Sequence, residues 1–566
     1  MGDCPVQAIL AAPTPLDMDP NPSDPYARAA QTFPRLSEEM AARVASYGSD
    51  ERLPKGSIVF RRGERSVDFF LVLEGSIEIY DDDAHGSGVP FTVHRARQFS
   101  GELDLFNDRQ ILVSGRTGED SRVIRIKRPD FRRLVSGEPD IGEIIMRAFI
   151  LRRVGFIQHR KGGVVVIGPG HGSDTLRLQR FLGRNGYPHG VLDTEVDPDA
   201  GGFLECFQLT PDQLPVVIVY GERVLRNPST ATLADELGLT ETIDPARVYD
   251  IAVVGAGPAG LAAAVYAASE GLDTIVIEGM APGGQAGTSS KIENYLGFPT
   301  GISGQALAGR AQVQAQKFGA RLAISRFVRG IDCHRRPFRL DLDDGQAIQA
   351  CAVVVATGAR YRKLDVSDYG RFEGQGIHYA ATAMEANLCG GEEVVVVGGG
   401  NSAGQAAVFL SRTSAHVHVL IRAEGLAATM SDYLVQRILQ SPRISLHSRT
   451  EITALHGDTR LRQVTWRNRD SGATETRPVC NVFVMIGAEP NTDWLDGCLE
   501  LDAKGFVITG KAADGTADAS PFATTRPGIF AVGDVRSGSV KRVASGVGEG
   551  SVVIQAVHRF LERGVA

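Results

Sequence analysis

Two glycine-rich loops are the parts of this sequence whose residue types and spacing best suit chemistry. The first places Gly255, Gly257 and Gly260 after the apolar segment DIAVV and before an alanine-rich segment, and a second apolar segment ends at Glu278. Glycines at this spacing let the backbone approach a pyrophosphate at a helix N-terminus, and the later acid can bond a ribose hydroxyl. The loop therefore predicts a strand, a turn and a helix that bind a dinucleotide.

The second loop has the same design with one difference. Gly398, Gly400 and Ala403 again lie between an apolar segment and a helix-like segment, but the next apolar segment ends at Arg422 instead of an acid. An arginine at this place favours a 2′-phosphate, and hence NADP over NAD. The choice between NADP and NAD stays open, because Glu424 lies close by. A second alternative is that Arg422 is merely a solvated strand end with no role in binding.

From residue 248 onward the sequence resembles the low-molecular-weight thioredoxin reductases and related flavoproteins with two dinucleotide sites. The resemblance rests on ordered motifs: VVGAGPAGLAAAVYA, PGGQ at 282–285, IENYLGFP at 292–299, VVVATGA at 353–359, GGGNSA at 398–403, VFVMIGAEPNT at 482–492 and PGIFAVGDV at 527–535. In that family the first module holds FAD, an inserted module holds NADPH, and the chain then returns to complete the FAD site. The resemblance implies FAD-binding parts at 248–365 and 483–566, with an NAD(P)-binding domain at 366–482.

The resemblance also implies which residues bind each cofactor, and it assigns no catalytic side chain. The glycines of the first loop would receive the FAD pyrophosphate, Glu278 the adenosine ribose and Asp534 the ribityl chain. A helix that begins near Lys541 would point at the pyrimidine edge of the flavin, where positive potential raises the reduction potential. The other residues implied for FAD are Pro258, Gly284, Gln285, Asn294, Thr357, Gly358, Gly533, Arg542 and Val543. Those implied for NAD(P) are Gly398, Gly400, Asn401, Ser402, Ala403 and Arg422.

The redox-active cysteine pair of that family is missing. Thioredoxin reductases carry CxxC just ahead of the second loop, and this sequence reads Ala380-Ala381-Thr382-Ala383 there. Without two thiols, no disulfide takes electrons from the flavin at this position. The seven cysteines are scattered without the pattern of a disulfide framework, so we expect buried or incidental thiols rather than redox or metal roles, with Cys389 in a structural role.

Residues 36–155 resemble the cyclic-nucleotide-binding domain family, through KGSIVFRRGERSVDFFLVLEGSIEIY and FSGELDLFNDRQILVSGRT. In that family a Gly-Glu pair and an arginine bind the ribose and the cyclic phosphate, which implies a jelly-roll barrel with Gly101, Glu102 and Arg109 as ligand residues. The match departs in a short segment before the arginine and in the bulky residues after it. Two alternatives stay open, a barrel that binds a cyclic nucleotide and one kept for docking or dimer contact.

Residues 160–245 resemble a thioredoxin or glutaredoxin domain, with strands alternating with helices and Pro215 of LPVVIVYG as an expected cis-proline. The redox position after its first strand reads GPGHGSD, again without cysteine, and we expect His171 to be an exposed loop residue. Residues 1–35 are rich in Pro, Asp and Ala, which predicts a flexible lead-in.

The net charge of −7 lacks long single-sign blocks, which argues against binding to nucleic acid or to an anionic membrane. We expect a multidomain cytoplasmic protein that combines the barrel, a small α/β domain and the two-dinucleotide reductase, and the resemblance favours a homodimer. The predicted function is an FAD-dependent NAD(P)H oxidoreductase whose acceptor is a small molecule, dioxygen or a protein carrier, with the barrel as a regulatory or docking module. The alternatives are a redox sensor with little turnover and a thioredoxin-disulfide reductase-like activity through partner thiols.

Overall fold

The structure is a computed structural model. It describes residues 25–562 except 66, 82–87, 107–108, 160–162, 198–199, 207–208, 222, 290, 459, 496 and 511–519. The chain divides into two compact units. The first consists of Met1–Gly170, Arg177–Ile243 and Arg321–Ser325, and the second of His171–Leu176, Asp244–Ala320 and Arg326–Ala566. Within the described ranges, no helix has the length and apolar character needed to cross a membrane.

The first unit contains the predicted all-β barrel. Its strands are β1 Ser49–Leu53, β2 Ile58–Phe60, β3 Phe69–Glu74, β4 Ser76–Tyr80, β5 Pro90–Arg95, β6 Ser114–Thr117 and β7 Ser121–Ile126. They form two antiparallel sheets with the strand orders β1-β7-β3 and β2-β6-β4-β5. Phe69, Phe70, Leu71 and Val72 of β3 are all buried, so this strand is covered on both faces and lies in the core of the unit.

Helices precede and follow the barrel strands. They are α1 Ala29–Thr32, α2 Glu38–Ala45, α3 Arg128–Gly137 and α4 Pro139–Gln158. The Ser37 hydroxyl accepts a hydrogen bond from the backbone N–H of Met40 and so caps α2. Prolines stand in the first turns of α3 and α4, where a missing N–H costs no helical hydrogen bond. Of the predicted lead-in, residues 1–24 lie outside the described part, and the 3₁₀ turn Pro25–Arg28 leads directly into α1.

A small α/β segment follows in the chain, as the alternation of apolar and helix-like segments predicts, and it belongs to the first unit except for His171–Leu176. It contains β8 Val164–Gly168, α5 Ser173–Arg184, β9 Gly190–Asp193, α6 Ala200–Cys206, β10 Val216–Val219, β11 Arg223–Arg226 and α7 Thr230–Glu236. The sheet order is β11-β10-β8-β9, with β8 and β9 parallel and β10 antiparallel to both of its neighbours. The Leu214–Pro215 peptide bond is cis, and His171 is exposed. The likeness of this segment to thioredoxin stays a prediction.

The remaining strands begin at residue 248. They are β12 Val248–Val254, β13 Thr274–Glu278, β14 Arg321–Ile324, β15 Val328–Asp332, β16 Phe338–Leu342, β17 Ala347–Val355, β18 Ala359–Tyr361, β19 Ile377–His378, β20 Glu393–Val397, β21 His416–Leu420, β22 Ile444–His447, β23 Thr450–Gly457, β24 Leu461–Asn468, β25 Thr474–Arg477, β26 Asn481–Val484, β27 Ala488–Pro490 and β28 Ile529–Ala531. The helices are α8 Pro258–Ser269, α9 Gly304–Lys317, α10 Tyr369–Phe372, α11 Ala383–Leu388, α12 Asn401–Leu410, α13 Asp432–Gln440 and α14 Val543–Glu562.

The second unit contains two sheets with parallel centres. In the first, β13, β12 and β17 are parallel neighbours, β28 runs parallel on β17, and the antiparallel strands β16 and β15 extend the sheet. In the second, the order is β19-β26-β20-β21-β22 with every pair parallel. A three-stranded antiparallel sheet, β23-β24-β25, follows β22 in sequence. These are the two dinucleotide folds that the glycine loops predict, and the second is inserted between the halves of the first.

One expectation about the cysteines is wrong. Cys333 and Cys498 form a disulfide, with a Cα–Cα distance of 6.2 Å, although the sequence analysis expected buried or incidental thiols. Cys333 follows β15 and Cys498 follows the 3₁₀ turn Asp493–Leu495. The two residues are 165 positions apart, so their meeting depends on the tertiary fold of the first sheet rather than on any local spacing.

Candidate functional site

The residues predicted to bind FAD gather at one edge of the first sheet of the second unit. The segments in question directly follow the carboxyl ends of β12, β13, β17 and β28, which are parallel strands. Carboxyl ends of parallel strands share an edge, and open α/β sheets bind their ligands there. The topology thus brings together Gly255–Gly260, Glu278, Thr357 with Gly358, and Gly533 with Asp534.

The three glycines of the first loop are needed for different structural reasons. Gly255 has a φ of 103°, a conformation that side chains rarely adopt, and a Cβ on it would collide with the carbonyl of Ala356. A Cβ on Gly260 would overlap the carbonyl oxygen of Gly255, so this glycine allows α8 to pack against the turn. Gly257 is the N-cap of α8, and a Cβ there would meet nothing nearer than 4.0 Å. The middle glycine therefore leaves open space at a helix N-terminus, which fits a pyrophosphate.

Glu278 is tied to the glycine loop by the backbone. Its Oε2 accepts a hydrogen bond of 2.8 Å from the N–H of Ala256, and its Oε1 accepts one of 3.0 Å from the N–H of Met280. Both bonds hold the carboxylate beside the open space at Gly257, where a ribose of the same dinucleotide would lie. The PGGQ turn lies against this loop as well, since Gly283 N–H donates to the Ala256 carbonyl at 2.7 Å.

The strand-end segment at Thr357 contains a partner that the sequence analysis did not single out. Asn491 Nδ2 donates to the carbonyl of Thr357 at 2.9 Å, and the Thr357 hydroxyl donates to the carbonyl of Asn491 at 2.8 Å. The Asn491 N–H also donates to the carbonyl of Gly358, and Gln285 Nε2 donates to that of Ala359. Asn491 belongs to the motif VFVMIGAEPNT, and an amide side chain shortly after the apolar run VFVMI was the available signal.

A second missed pair supports the AVGD turn. Glu549 of α14 accepts a hydrogen bond of 2.7 Å from the N–H of Gly533, and its carboxylate is bound by Arg536 at 2.8 Å. Both side chains are largely buried. Burial also raises the pKa of Asp534, which is half-buried beside this pair. The ion pair fixes the turn, so that Asp534 is held at the edge of the site without providing the hydrogen bonds itself.

Two of the predicted FAD residues are exposed, and a third begins a helix. The helix predicted near Lys541 is α14, which begins at Val543. Arg542, just ahead of it, and Asn294 of the IENY motif are both exposed. The structure brings α14 to the AVGD turn through Glu549, while the contacts of Asn294 and Arg542 with a cofactor stay predictions.

The second loop repeats the design of the first at the edge of the second sheet. Gly398 has a φ of 140°, and a Cβ on it would collide with the carbonyl of Met485. Gly400 is the N-cap of α12 and faces space in which a Cβ would meet nothing within 4 Å. Ala403 is buried and Ser402 is exposed, whereas Asn401 Oδ1 accepts a hydrogen bond of 2.7 Å from the N–H of Ser431. Asn401 thus holds the start of α13 beside the loop, and Gly400 leaves room for a second pyrophosphate.

Arg422 and Glu424, the two candidates for reading the ribose of the nicotinamide cofactor, have different surroundings. Arg422 is exposed at the end of β21 and forms no ion pair with any other described residue. Glu424 lies 3.3 Å from Arg449, which is also bound to Asp470 at 2.6 Å. The carboxylate therefore already has a cationic partner, while the guanidinium of Arg422 is available to a phosphate.

Residues 380–383, where the resemblance to thioredoxin reductases leads one to expect CxxC, contain no cysteine. Ala381 is buried in the core of the second sheet, and the carboxylate of Glu385 accepts a hydrogen bond of 3.0 Å from the N–H of Thr382, which starts α11. Cys389, the cysteine nearest to this segment in the sequence, is fully buried, and burial raises the pKa of its thiol far above the ordinary value. Burial likewise raises the pKa values of Cys351 and Cys480, so all three free cysteines of the described part are protonated at neutral pH.

In the barrel, the residues predicted to bind a cyclic nucleotide are engaged with protein groups. Glu102 is 4% exposed and forms a bidentate ion pair with Arg153 of α4, with one oxygen 2.7 Å from Nε. Arg153 also binds Asp104 at 2.6 Å. Arg109 is buried and its Nη1 donates to the carbonyl of Asn185 at 3.5 Å. Gly101 has a φ of 115° and its carbonyl accepts a hydrogen bond from Arg152.

Two dinucleotide folds, one inserted in the other and each with an open glycine turn at a helix N-terminus, define the class of pyridine-nucleotide flavoproteins. Residues 249–550 match the family described as pyridine nucleotide-disulphide oxidoreductase, and residues 50–138 match the cyclic nucleotide-binding domain. The chain belongs to the pyridine nucleotide-disulphide oxidoreductase family, and its barrel is a domain of the cyclic nucleotide-binding type.

Individual relatives give the same result. The chain is 34% identical over 314 residues to the thioredoxin reductase of Treponema pallidum (strain Nichols), covering 56% of this chain and 97% of that protein. It is 30% identical over 358 residues to the NADPH-dependent thioredoxin reductase 3 of Arabidopsis thaliana, covering 60% of this chain and 65% of that protein. Among solved structures it is similar to the thioredoxin reductase of Lactococcus lactis in the FR conformation, with a TM-score of 0.52, 28% identity, and coverage of 56% of this chain and 99% of that one. The predicted family and the two-dinucleotide fold are confirmed, and members of this family bind FAD and NADPH.

Proposed function

We propose that this protein is an FAD-dependent NAD(P)H oxidoreductase that passes electrons to an acceptor other than a disulfide in its own chain. The observation that carries the proposal is the combination of two open glycine turns at helix N-termini with the cysteine-free segment Ala380-Ala381-Thr382-Ala383. The raised pKa values of the buried thiols support it, because a protonated thiol is a poor nucleophile and a poor redox partner.

The proposal assigns the chain's own residues to binding and electrostatics. Gly257 and Gly400 leave room for pyrophosphates at the starts of α8 and α12, and Glu278 is positioned for a ribose. The N-terminus of α14 adds positive potential near the AVGD turn, which Arg536 and Glu549 hold in place. FAD, when bound, supplies hydride acceptance from a nicotinamide and onward electron transfer. No side chain is required as an acid or base for that exchange.

The acceptor would be a small molecule such as a quinone, dioxygen, or a protein electron carrier. Small side chains at 380–383 support this, because they leave the family's dithiol position without a competing redox group. We further propose that the barrel is a regulatory or docking module, that residues 160–245 are a thioredoxin-like domain without redox cysteines, and that the protein acts as a homodimer. A light-scattering mass equal to one chain would contradict the dimer.

The test is anaerobic stopped-flow mixing of the purified flavoprotein with NADPH and with NADH, followed by turnover with a quinone, dioxygen, a ferredoxin-type carrier and oxidised thioredoxin. The expected result is fast bleaching of the flavin by at least one nicotinamide and turnover with a non-disulfide acceptor that survives alkylation of free thiols. A protein without flavin, or a flavin that neither cofactor bleaches, would refute the proposal. Bleaching without turnover on any acceptor would instead favour the redox-sensor alternative.

A disulfide reductase activity is the second candidate function. It is favoured by the names of the relatives and by the disulfide between Cys333 and Cys498, which is the one disulfide in the described part of the chain. Replacing both cysteines with serine separates the candidates. Loss of thioredoxin-dependent turnover with unchanged quinone turnover would establish this second activity, and the absence of any thioredoxin-dependent turnover in the unaltered protein would remove it.

A further inference from the structure

The two dinucleotide folds of the second unit are joined by two crossings of the chain. The crossings meet in a two-stranded antiparallel ribbon of β18 and β27, in which Ala359 is paired with Pro490 and Tyr361 with Ala488. An isolated pair of short strands is a weak support, and a few residues of this kind are enough to form a hinge. Side chains that meet outside the ribbon therefore help to set how the two cofactor sites face each other.

One ion pair outside the ribbon joins the two folds. Arg437 of α13, in the second fold, binds Glu293 of the IENYLGFP motif, in the first fold, with 2.6 Å between Nη1 and Oε2. The two residues are 144 positions apart. Glu293 directly precedes Asn294, which the resemblance to thioredoxin reductases implies as an FAD-binding residue. The pair thus connects the second fold to the motif that we expect beside the flavin cofactor.

Glu293 is held between two cations. Lys291 Nζ lies 3.3 Å from its Oε1, while Arg437 binds its Oε2. Burial by itself would raise the pKa of Glu293, but the hydrogen bonds from Arg437 and Lys291 outweigh burial and lower the pKa below its ordinary value. The carboxylate is therefore ionised at neutral pH, and its side chain is only 26% exposed.

Arg437 is positioned by its own helix. Its guanidinium lies over the ring of Tyr433, 5.2 Å from the ring centroid. Residues four apart on a helix are neighbours, and the cation–π contact restricts the long arginine side chain before it reaches Glu293. Less side-chain entropy is then lost when the ion pair forms.

α13 is fixed at its start to the second glycine loop. The N–H of Ser431, which is the N-cap of the helix, donates to Asn401 Oδ1 at 2.7 Å. The hydroxyl of Thr429 donates to the carbonyl of Gly399 at 2.8 Å. The helix therefore moves with the loop, and it connects the predicted NAD(P) site to the carboxylate of Glu293.

The position of this ion pair matters more than its strength. Arg437 is 48% exposed, and exposed ion pairs stabilise a fold only slightly. Other surface pairs of the second unit, such as Arg449 with Asp470, join residues of the same fold. The pair of Arg437 and Glu293 instead acts between two folds, so a small free energy changes the fraction of molecules in which the folds are correctly arranged.

We propose that the ion pair between Arg437 and Glu293 holds the two folds in the arrangement in which a nicotinamide reaches the flavin. Hydride transfer needs its donor and acceptor within roughly 3.5 Å, so the arrangement of the two sites controls the rate of flavin reduction. Both are positioning residues, since neither is expected to touch the reacting atoms. The inference rests on the proposed function and adds a determinant of its first step.

The test is anaerobic stopped-flow reduction of the full-length flavoprotein by NADPH at low ionic strength, with rates measured per bound flavin. Arg437→Gln and Glu293→Gln should each lower the limiting rate at saturating NADPH by a factor of about two to five, as expected for the loss of one exposed ion pair. The apparent dissociation constant of NADPH should be unchanged. The matched control is Arg443→Gln, which removes an exposed arginine that donates to the carbonyl of Ser411 within the second fold and should leave the limiting rate unchanged.

Two further readouts separate positioning from a general effect on the fold. Arg437→Glu should slow flavin reduction more than Arg437→Gln does, and the double variant Arg437→Glu with Glu293→Arg should recover the rate, because the pair is restored with its charges exchanged. Added salt should slow the unaltered protein towards the rate of Arg437→Gln and leave that variant unaffected, because salt screens an exposed pair.

The results that contradict this inference differ from those that contradict the proposed function. If NADPH and NADH both fail to bleach the unaltered flavoprotein, the proposed function fails. If the unaltered protein is bleached and Arg437→Gln is bleached at the same or a faster limiting rate, only the positioning role is refuted. An equal loss in Arg443→Gln, or no recovery in the double variant, would also overturn it. If Glu293→Gln loses its flavin, the exposed residue Arg437 and its salt dependence decide the question.

Discussion

Replacing Arg422 with glutamine tests how the second glycine loop selects its dinucleotide. Arg422 is exposed and forms no ion pair elsewhere in the described structure, while Glu424 is already held by Arg449 at 3.3 Å. A hydrogen bond from a guanidinium to a phosphate contributes about 1.5–3 kcal/mol, and an exposed side chain belongs at the lower end of that range. The substitution should therefore raise the KM for NADPH about tenfold.

The effect should be confined to NADPH, because NADH lacks the 2′-phosphate. The ribose is remote from the reacting atoms, so the loss is one of uniform binding, and kcat at saturating NADPH should be unchanged. The assay is steady-state quinone reduction with each cofactor, and Arg412→Gln is the control, since it removes another exposed arginine of the same domain. Equal losses with both cofactors, or an unchanged KM for NADPH, would refute the assignment of Arg422.

Two further predictions concern the loops and the second sheet. Gly257→Ala should leave the fold of the apoprotein intact and lower the flavin content of the purified protein, which the flavin-to-protein absorbance ratio measures. Gly260→Ala should destabilise the fold itself, because its Cβ would overlap the carbonyl of Gly255, and thermal unfolding measures this loss. Burial lowers the pKa values of His418 and His447 below 6.5, so only the unfolded chain takes up these protons as the pH falls below 6.5. The free energy of unfolding should then decrease below pH 6.5 and be constant with respect to these groups above it. Urea unfolding followed by Trp466, which packs on both rings, measures this, and a flat profile would contradict it.

The sequence predicts best those features that depend on local backbone geometry. The glycines at 255, 260 and 398 are required by a turn or by close packing, because a Cβ at any of the three would collide with a backbone carbonyl. Such requirements appear as fixed spacings between apolar segments, so the two dinucleotide folds could be predicted, whereas their inserted order was implied by the resemblance to the thioredoxin reductases. The cis bond before Pro215 was expected from the resemblance of that segment to a thioredoxin domain, and the structure has it.

The features that sequence analysis missed depend on long-range pairing. Glu549 and Arg536 meet because α14 returns to the AVGD turn, and Asn491 meets Thr357 across two segments that are distant in sequence. The disulfide joins residues 165 positions apart. In the barrel, the resemblance implied Glu102 as a ligand residue, but its ion pair with Arg153 could not be foreseen from that motif.

The central claim is that electrons pass from a nicotinamide to the flavin and leave without entering a disulfide of this chain. An anaerobic titration of the flavoprotein with NADPH, read by flavin absorbance and by a thiol count before and after, tests this most directly. The account predicts that one equivalent of NADPH per flavin completes the bleaching, with no second equivalent consumed and no new thiols. Consumption of a second equivalent with the appearance of two thiols would contradict it, and would place the pair Cys333 and Cys498 in the path of the electrons.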